Sequence, residues 1–244
     1  MEKVINVHVC ETASTNDLAK AYAREHGGVR AVFSADRQTA GRGRMGRSFL
    51  SPEGGLYTSF LCRPTVPTAE AVRLTVYAAA VAACVLERMT GHEVMIKWVN
   101  DLYMNGRKIA GILTEGALAE DGVHLSYAVV GVGINLAHTE FPEELSEIAT
   151  TVEDACGVRL DAAEVRRALA EAFFENDASD ARWIGEYRRR SFLIGRDVVA
   201  YRGGEQFPCR VLDVTDTGAL RVRREGGELC ELSSGEVRVR TRNV

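Results

Sequence analysis

The sequence predicts an α+β fold with a large N-terminal part, residues 1–193, and a small all-β part, residues 194–244. Three observations predict it. Up to about residue 190, strand-like runs of period two alternate with helical runs of period 3.6, joined both by β-then-α steps and by hairpins, which makes the sheet mixed. From Gly195 onward the period stays at two, and glycine-containing turns break the chain into short runs, as in a small β-barrel. The chain has 244 residues, 46% hydrophobic and 26% charged, enough for a substantial core and outside the disordered and fibrous classes.

The elements follow in order. Val4 to Cys10 alternates Ile5, Val7 and Val9 against Asn6 and His8, the pattern of a half-buried strand. STND then opens a helix, LAKAYAREH, that Gly27-Gly28 stops. AVFSA is a second strand; the polar, glycine-rich stretch 36–55 is a loop; LYTSFLC is a third strand. TAEAVRLTVYAAAVAACVLERMTG forms a long, mostly buried helix. VMIKW is a strand, LYMNGRKIAGILTEG a hairpin whose Asn105-Gly106 fits a type I′ turn, and LSYAVVGVGINL another buried strand. Phe141 to Arg190 is helical, with Pro142 at a start and RWIGEYRRR ending in cations that suit a helix C-terminus. The last strands are DVVAY, QFPCRVLDV, ALRVR, LCEL and EVRVR, punctuated at Gly203-Gly204, Gly218, Gly226-Gly227 and Gly235.

A net charge of −4 argues against a protein whose main task is gripping phosphate backbones. The six cysteines, Cys10, Cys62, Cys84, Cys156, Cys209 and Cys230, form no CxxC and no Cys/His cluster, and are expected as reduced core residues of a cytoplasmic protein. The longest apolar run, Val76–Leu86, is shorter than a bilayer span, so no membrane partner is expected.

Four polar clusters stand where strand patterns end. One is the Gln38-to-Arg47 loop, in which GRGRMGR at 41–47 holds Arg42, Arg44 and Arg47 and no acidic residue. Two such charges a few Å apart repel by about 2–4 kcal/mol at an effective dielectric near 20, and a bound anion would relieve them. The others are Ser14-Thr15-Asn16, the stretch Lys97-Trp98-Val99-Asn100-Asp101 with Lys108, and GVGIN at 131–135. Taken singly, each has a plain structural alternative: a solvated basic loop, a helix cap, a turn with a hairpin charge, and glycines for close packing.

Together, STN, then QTAGRGRMGR with SPEGGLYTS, then KWVNDLYMNGRKIAGILTE, then GVGINL resemble the biotin protein ligases of the wider biotin/lipoate ligase group, in order and approximate spacing. The resemblance implies a mixed sheet flanked by helices, of the class II synthetase-like biotin/lipoate ligase fold, followed by an SH3-like β-barrel. It implies ATP and Mg²⁺ as cofactors and biotin as substrate, with activation to biotinyl-adenylate and transfer to a lysine of a biotin carboxyl carrier domain of acetyl-CoA carboxylase or a related carboxylase. The positions that match the family's biotin contacts are Ser14, Thr15, Asn16, Gln38, Arg42, Gly43, Arg44 and Lys108, with Gly111, Gly131 and Gly133 lining the cleft. Phe49, Asn100 and Asn135, with Arg44 and Lys108, match the nucleotide side. Lys108, Arg42, Arg44 and Asp101 are the expected catalytic residues, and Asp101 either serves Mg²⁺ or orients the incoming lysine.

Cations are needed to bring a carboxylate beside a polyphosphate, and the glycine-arginine loop is expected to fold over the adenylate with its charge neutralised by ligand. Two positions depart from the family pattern: Val99 stands where many members have proline, and Phe49 where tryptophan is frequent, which bears on nucleotide affinity. Only thirteen residues precede Ser14, so no N-terminal DNA-binding module and no DNA partner are expected. The resemblance allows a monomer or a symmetric homodimer. A lipoate ligase and a non-catalytic biotin-sensing or carrier-binding scaffold are the rival readings.

Overall fold

A computed structural model describes residues 4–64, 67–202, 205–233 and 237–241. The expected turns at Gly203-Gly204 and Gly235 lie outside the described residues. Seven strands, β1 (Ile5–Thr12), β2 (Ala31–Gln38), β3 (Leu56–Cys62), β4 (Met95–Lys97), β5 (Asp101–Met104), β6 (Arg107–Leu118) and β7 (Leu125–Ile134), form one sheet in the order β1-β2-β3-β7-β6-β5-β4. β1 and β2 are parallel, joined by helix α1 (Thr15–His26), and every other pair is antiparallel, so the sheet is mixed. Asn105 and Gly106 both have positive φ, 49° and 77°, as a type I′ hairpin turn between β5 and β6 requires.

Helices cover both faces. α1 lays Ala19 and Ala23 against Phe33, Leu61 and Val129 on one face. On the other lie α2 (Val72–Thr90), α5 (Ala162–Glu175) and α6 (Ala181–Arg190), with the short helices α3 (Glu143–Ser146) and α4 (Val152–Cys156) in the connection after β7. The stretch Thr68–Thr90 is long and apolar enough to cross a membrane, which the apolar run Val76–Leu86 alone did not suggest, yet 67% of its most apolar 18-residue window is buried inside the protein. Its apolar length reflects packing on all sides, between the sheet and α5 and α6. Each fully buried Val, Leu or Tyr there contributes roughly 1.5–3 kcal/mol of burial free energy.

Five further strands, β8 (Asp197–Arg202), β9 (Glu205–Val214), β10 (Leu220–Arg224), β11 (Leu229–Leu232) and β12 (Val237–Thr241), form a second, wholly antiparallel sheet, ordered β11-β10-β9-β8-β12. Its inner residues, among them Val198, Val211, Leu220 and Val222, join the core that α2 and α6 share with the large sheet. All six cysteines are free, but Cys10 is exposed, in contrast to the core position expected of it. It shares a strand face with Asn6, which is also exposed, and helix α1 packs on the opposite face.

Candidate functional site

A cavity of about 270 Å³ opens where β3, β5, β6 and β7, the start of α1 and the glycine-arginine loop converge. Its floor is bare backbone. Gly111 of β6 pairs with Gly133 of β7, and Gly131 lies one side-chain repeat further along β7. A Cβ at Gly133 would stand 2.7 Å from Phe49 Cε1, so the Phe49 ring rests where only glycine leaves room. Phe49 also meets Tyr57 edge-on at 6.5 Å between centroids and has Lys108 Nζ 6.0 Å from its own.

One end of the cavity is a hydrogen-bonded polar group. Ser14 holds the N-cap position of α1 by backbone geometry, but its side chain makes no capping bond. Ser14, Thr15 and Asn16 are all buried and line the cavity, so the helix-cap alternative does not account for their side chains. Thr15 donates to Gln38 Oε1 from its backbone N–H at 2.8 Å and from its hydroxyl at 3.1 Å. Ser59, fully buried on β3, donates to Asn16 Oδ1 at 2.6 Å, and its oxygen lies 2.8 Å from Thr15 Oγ1. Asn16 Nδ2 donates to Glu115 Oε2 at 2.8 Å and to the Leu113 carbonyl at 3.3 Å.

The other end is charged. Lys108 Nζ lies 2.7 Å from Asp101 Oδ1, which also accepts from Asn100 Nδ2 at 3.2 Å. Arg44 Nη1 donates to Asn100 Oδ1 at 3.3 Å, while its Nη2 is buried without a hydrogen-bond partner. Burial depresses the basicity of this guanidinium, against the attraction of Asp101. An unpaired buried donor in a cavity wall costs about 1–3 kcal/mol, a deficit that an incoming oxygen ligand would remove. The turn carrying Asn100 is held from below. Tyr187, buried and with its phenol pushed well up by that burial, donates to the Val99 carbonyl at 3.1 Å. Trp98 Nε1 donates to the Gly218 carbonyl at 2.9 Å, which ties the cavity wall to the second sheet.

Arg42 behaves differently from the sequence expectation. It makes a bidentate bond to Asp17, at 2.6 and 2.7 Å, and reaches Glu115 at 3.3 Å, so its charge is balanced by the chain's own carboxylates before any ligand arrives. The Arg42 bond holds the Asp17 carboxyl down to about 2, against the opposing effect of burial, and Arg42 is itself made more basic by Asp17. Burial alone would raise Glu115, but bonds from Lys20 and Asn16 outweigh it and its carboxyl lies below the ordinary range. The loop turns tightly beyond Arg44: Met45 sits at φ 58° and Gly46 at φ 73°.

The structure thus brings Ser14, Thr15, Asn16, Gln38, Arg42, Gly43, Arg44, Phe49, Asn100, Asp101, Lys108, Gly111, Gly131 and Gly133 to one cavity. It does not bring Asn135 there: that amide donates to the Thr150 carbonyl at 3.1 Å, behind the end of β7. Sequence reasoning missed Asp17, Ser59, Glu115 and Tyr57. Tyr57 and Ser59 were visible in SPEGGLYTS only as strand residues, and Asp17 only as part of a helix start. Among the described residues, no cluster of three or more His, Cys, Asp or Glu is placed to hold a metal ion.

Residues 9–135 match the family model described as the biotin/lipoate A/B protein ligase family. The chain belongs to that family. Over 154 residues it is 38% identical to the bifunctional ligase/repressor BirA of Bacillus subtilis, a match covering 63% of this chain but 47% of that protein, so the chain spans about half the length of this relative. It is 32% identical over 245 residues to the biotin–[acetyl-CoA-carboxylase] ligase of Mycobacterium tuberculosis, covering 94% of this chain and 86% of the relative. The fold is similar to that of the biotin protein ligase from Aquifex aeolicus solved with biotin and ATP, with a TM-score of 0.80 at 28% identity over 98% of this chain and 99% of that one. For a biotin/lipoate ligase family member, a cleft with one neutral polar end and one cationic end is chemically apt. A ring ligand with several N–H and C=O groups fits the first, and a carboxylate meeting a phosphate fits the second.

Proposed function

We propose that this protein is an ATP-dependent biotin–protein ligase that activates biotin as biotinyl-5′-AMP and transfers it to a lysine of a biotin carboxyl carrier domain. The observation that carries the reading is the spacing of the two ends of the cavity. Ser59 on β3 pairs with Gly131, and Asp101 on β5 pairs with Gly111, itself opposite Gly133, so the two ends are offset by two residues along the strands and stand three strand spacings apart across β7 and β6. At about 3.4 Å per residue and about 4.8 Å per strand this is roughly 16 Å, room for a ureido ring, its acyl tail and the phosphate that the carboxylate meets.

In the first step the biotin carboxylate oxygen attacks the α-phosphorus and pyrophosphate leaves. Lys108, a compact charge on a rigid strand, offsets the repulsion between carboxylate and phosphate, and the unpaired Nη2 of Arg44 supplies a second donor. In the second step the acceptor amine attacks the carbonyl carbon, the C–O bond to AMP breaks, and the amine gives up a proton. Asp101, already bonded to Lys108, is the carboxylate in position to orient that amine. Mg²⁺ would neutralise triphosphate charge when bound. Asp101 is the protein group that fits it, with phosphate oxygens and waters as the remaining ligands, since Mg²⁺ is commonly held through one or two carboxylates plus substrate phosphates. The second sheet is read as an SH3-like barrel forming a unit over 194–244, with the catalytic unit over 1–193.

Pyrophosphate release tests the reading. With biotin and Mg·ATP, a burst near one equivalent per protein is expected without any acceptor, and continuous release with a carrier domain. No release in either case would overturn it.

A further inference from the structure

Glu115 lies behind the cavity wall on β6, half-buried, and its carboxylate gathers three groups from separate places. Oε1 takes Lys20 at 2.8 Å, and Oε2 takes Asn16 at 2.8 Å and Arg42 at 3.3 Å. A carboxylate only accepts hydrogen bonds, and so does the Leu113 carbonyl, which takes a longer bond from the same nitrogen at 3.3 Å, so Asn16 must turn Nδ2 toward Glu115 and Oδ1 toward Ser59. At the far end of the same chain the Thr15 backbone N–H only donates, so Gln38 must turn Oε1 toward it and Nε2 toward Ser51. Between these anchors the single Ser59 hydroxyl proton goes to Asn16 Oδ1 at 2.6 Å, and the Thr15 hydroxyl gives its own to Gln38 Oε1 at 3.1 Å or to Ser59 Oγ at 2.8 Å. Thr15 and Asn16 both line the cavity, and Asn16 Oδ1, directly over Gly131, is left as an acceptor there.

We propose that Glu115 is a specificity-determining positioning residue, whose carboxylate fixes the donor–acceptor direction of the Asn16–Ser59–Thr15–Gln38 chain and so selects a ligand ring that presents N–H groups. The inference rests on the biotin-ligase reading above. With an amide at position 115, only the longer bond to the Leu113 carbonyl still favours the wild-type direction, so Asn16 can flip in part of the molecules and the edge that accepts N–H groups becomes partly a donor edge. A ligand without ring N–H groups gains nothing from the wild-type direction and loses nothing when it relaxes.

The test is a double-mutant cycle on equilibrium binding, read by calorimetry with biotin and, separately, with lipoate. Glu115→Gln and Ser59→Ala are each expected to weaken biotin about tenfold. The double variant should also weaken it about tenfold rather than a hundredfold, because both break one chain. Lipoate affinity should change by less than twofold, so the biotin preference falls. Additive losses, or equal weakening of both ligands, would assign Glu115 a general structural role and overturn the proposal. Should Glu115→Gln fail to fold, Glu115→Asp keeps the charge, withdraws its reach from Asn16, and is expected to lower the same biotin preference. If the wild type binds no biotin, it is the biotin-ligase reading that fails; if it binds biotin and the cycle is additive, only the role of Glu115 fails.

Discussion

Gly131→Ala adds one carbon at a confined point of the polar end of the cavity. That carbon would overlap Asn16 Oδ1 and lie 3.0 Å from Cγ and 3.1 Å from Nδ2, so the whole amide stands in its way. Asn16 has little room to retreat: it is 4% exposed and is bonded to Glu115, Leu113 and Ser59. Either the amide gives up its bond to the carboxylate, at about 1.5–3 kcal/mol, or β7 shifts, at about 1–3 kcal/mol for overpacking. A loss of about 2 kcal/mol corresponds to roughly thirtyfold in biotin Kd if it falls on the bound state. If it falls on folding instead, it lowers Tm by about 4–8 °C in a chain of this size. Calorimetric titration with biotin and thermal unfolding separate these outcomes. Gly185→Ala is the control, because Gly185 is an exposed residue of α6 with nothing near its Cβ position, and alanine there should stabilise by about 0.5–1 kcal/mol. A Gly131→Ala protein that binds biotin and melts as the wild type does would refute the packing described for Asn16.

Three further outcomes are expected. The fall of Asp17 from an ordinary 3.8 to about 2 corresponds to at most about 2.4 kcal/mol, and because its side chain is 44% exposed the contribution is discounted to about 1 kcal/mol. Its pKa is lowered on folding, so this stability is present above pH 4 and lost as pH falls toward 2; urea unfolding should show the gap between wild type and Asp17→Asn closing over that window, and a gap unchanged at pH 3 and below would contradict it. Arg44→Ala should speed escape of the adenylate about tenfold or more, read by filter binding, with little fall in Tm, since the loss of one long bond from Nη1 to Asn100 is offset by removal of the buried, unpaired Nη2. Trp98→Phe leaves the Gly218 carbonyl without its donor and should lower Tm by about 2–8 °C while raising KM for ATP; an unchanged KM would confine that bond to stability.

Much of this architecture was legible in the chain because its signals are local. Alternation marked the strands, Asn105-Gly106 marked the hairpin, and the shift of period at Gly195 marked the second sheet. The site was legible as clusters of unusual residues at strand ends, and what escaped was long-range. The window 41–47 holds no acid, but Asp17, 25 positions away, and Glu115, 73 positions away, converge on Arg42, so the loop's charge is met partly within the protein. Ser59 and Glu115 occupy ordinary strand positions whose meaning appears only when β3, β6 and α1 are brought together. Alternation along β7 would put Asn135 beside Gly131 and Gly133, but the strand ends at Ile134 and the amide turns to Thr150 instead.

The central claim is that the two ends of this cavity activate biotin and pass it to a carrier lysine. Its most direct test is mass spectrometry of a biotin carboxyl carrier domain incubated with the protein, Mg·ATP and equimolar biotin and lipoate. A single biotin-sized increase on the carrier, abolished by Lys108→Ala in a variant that still melts cooperatively, is the predicted result. A lipoyl-sized increase, or an unmodified carrier with no pyrophosphate released, would contradict it.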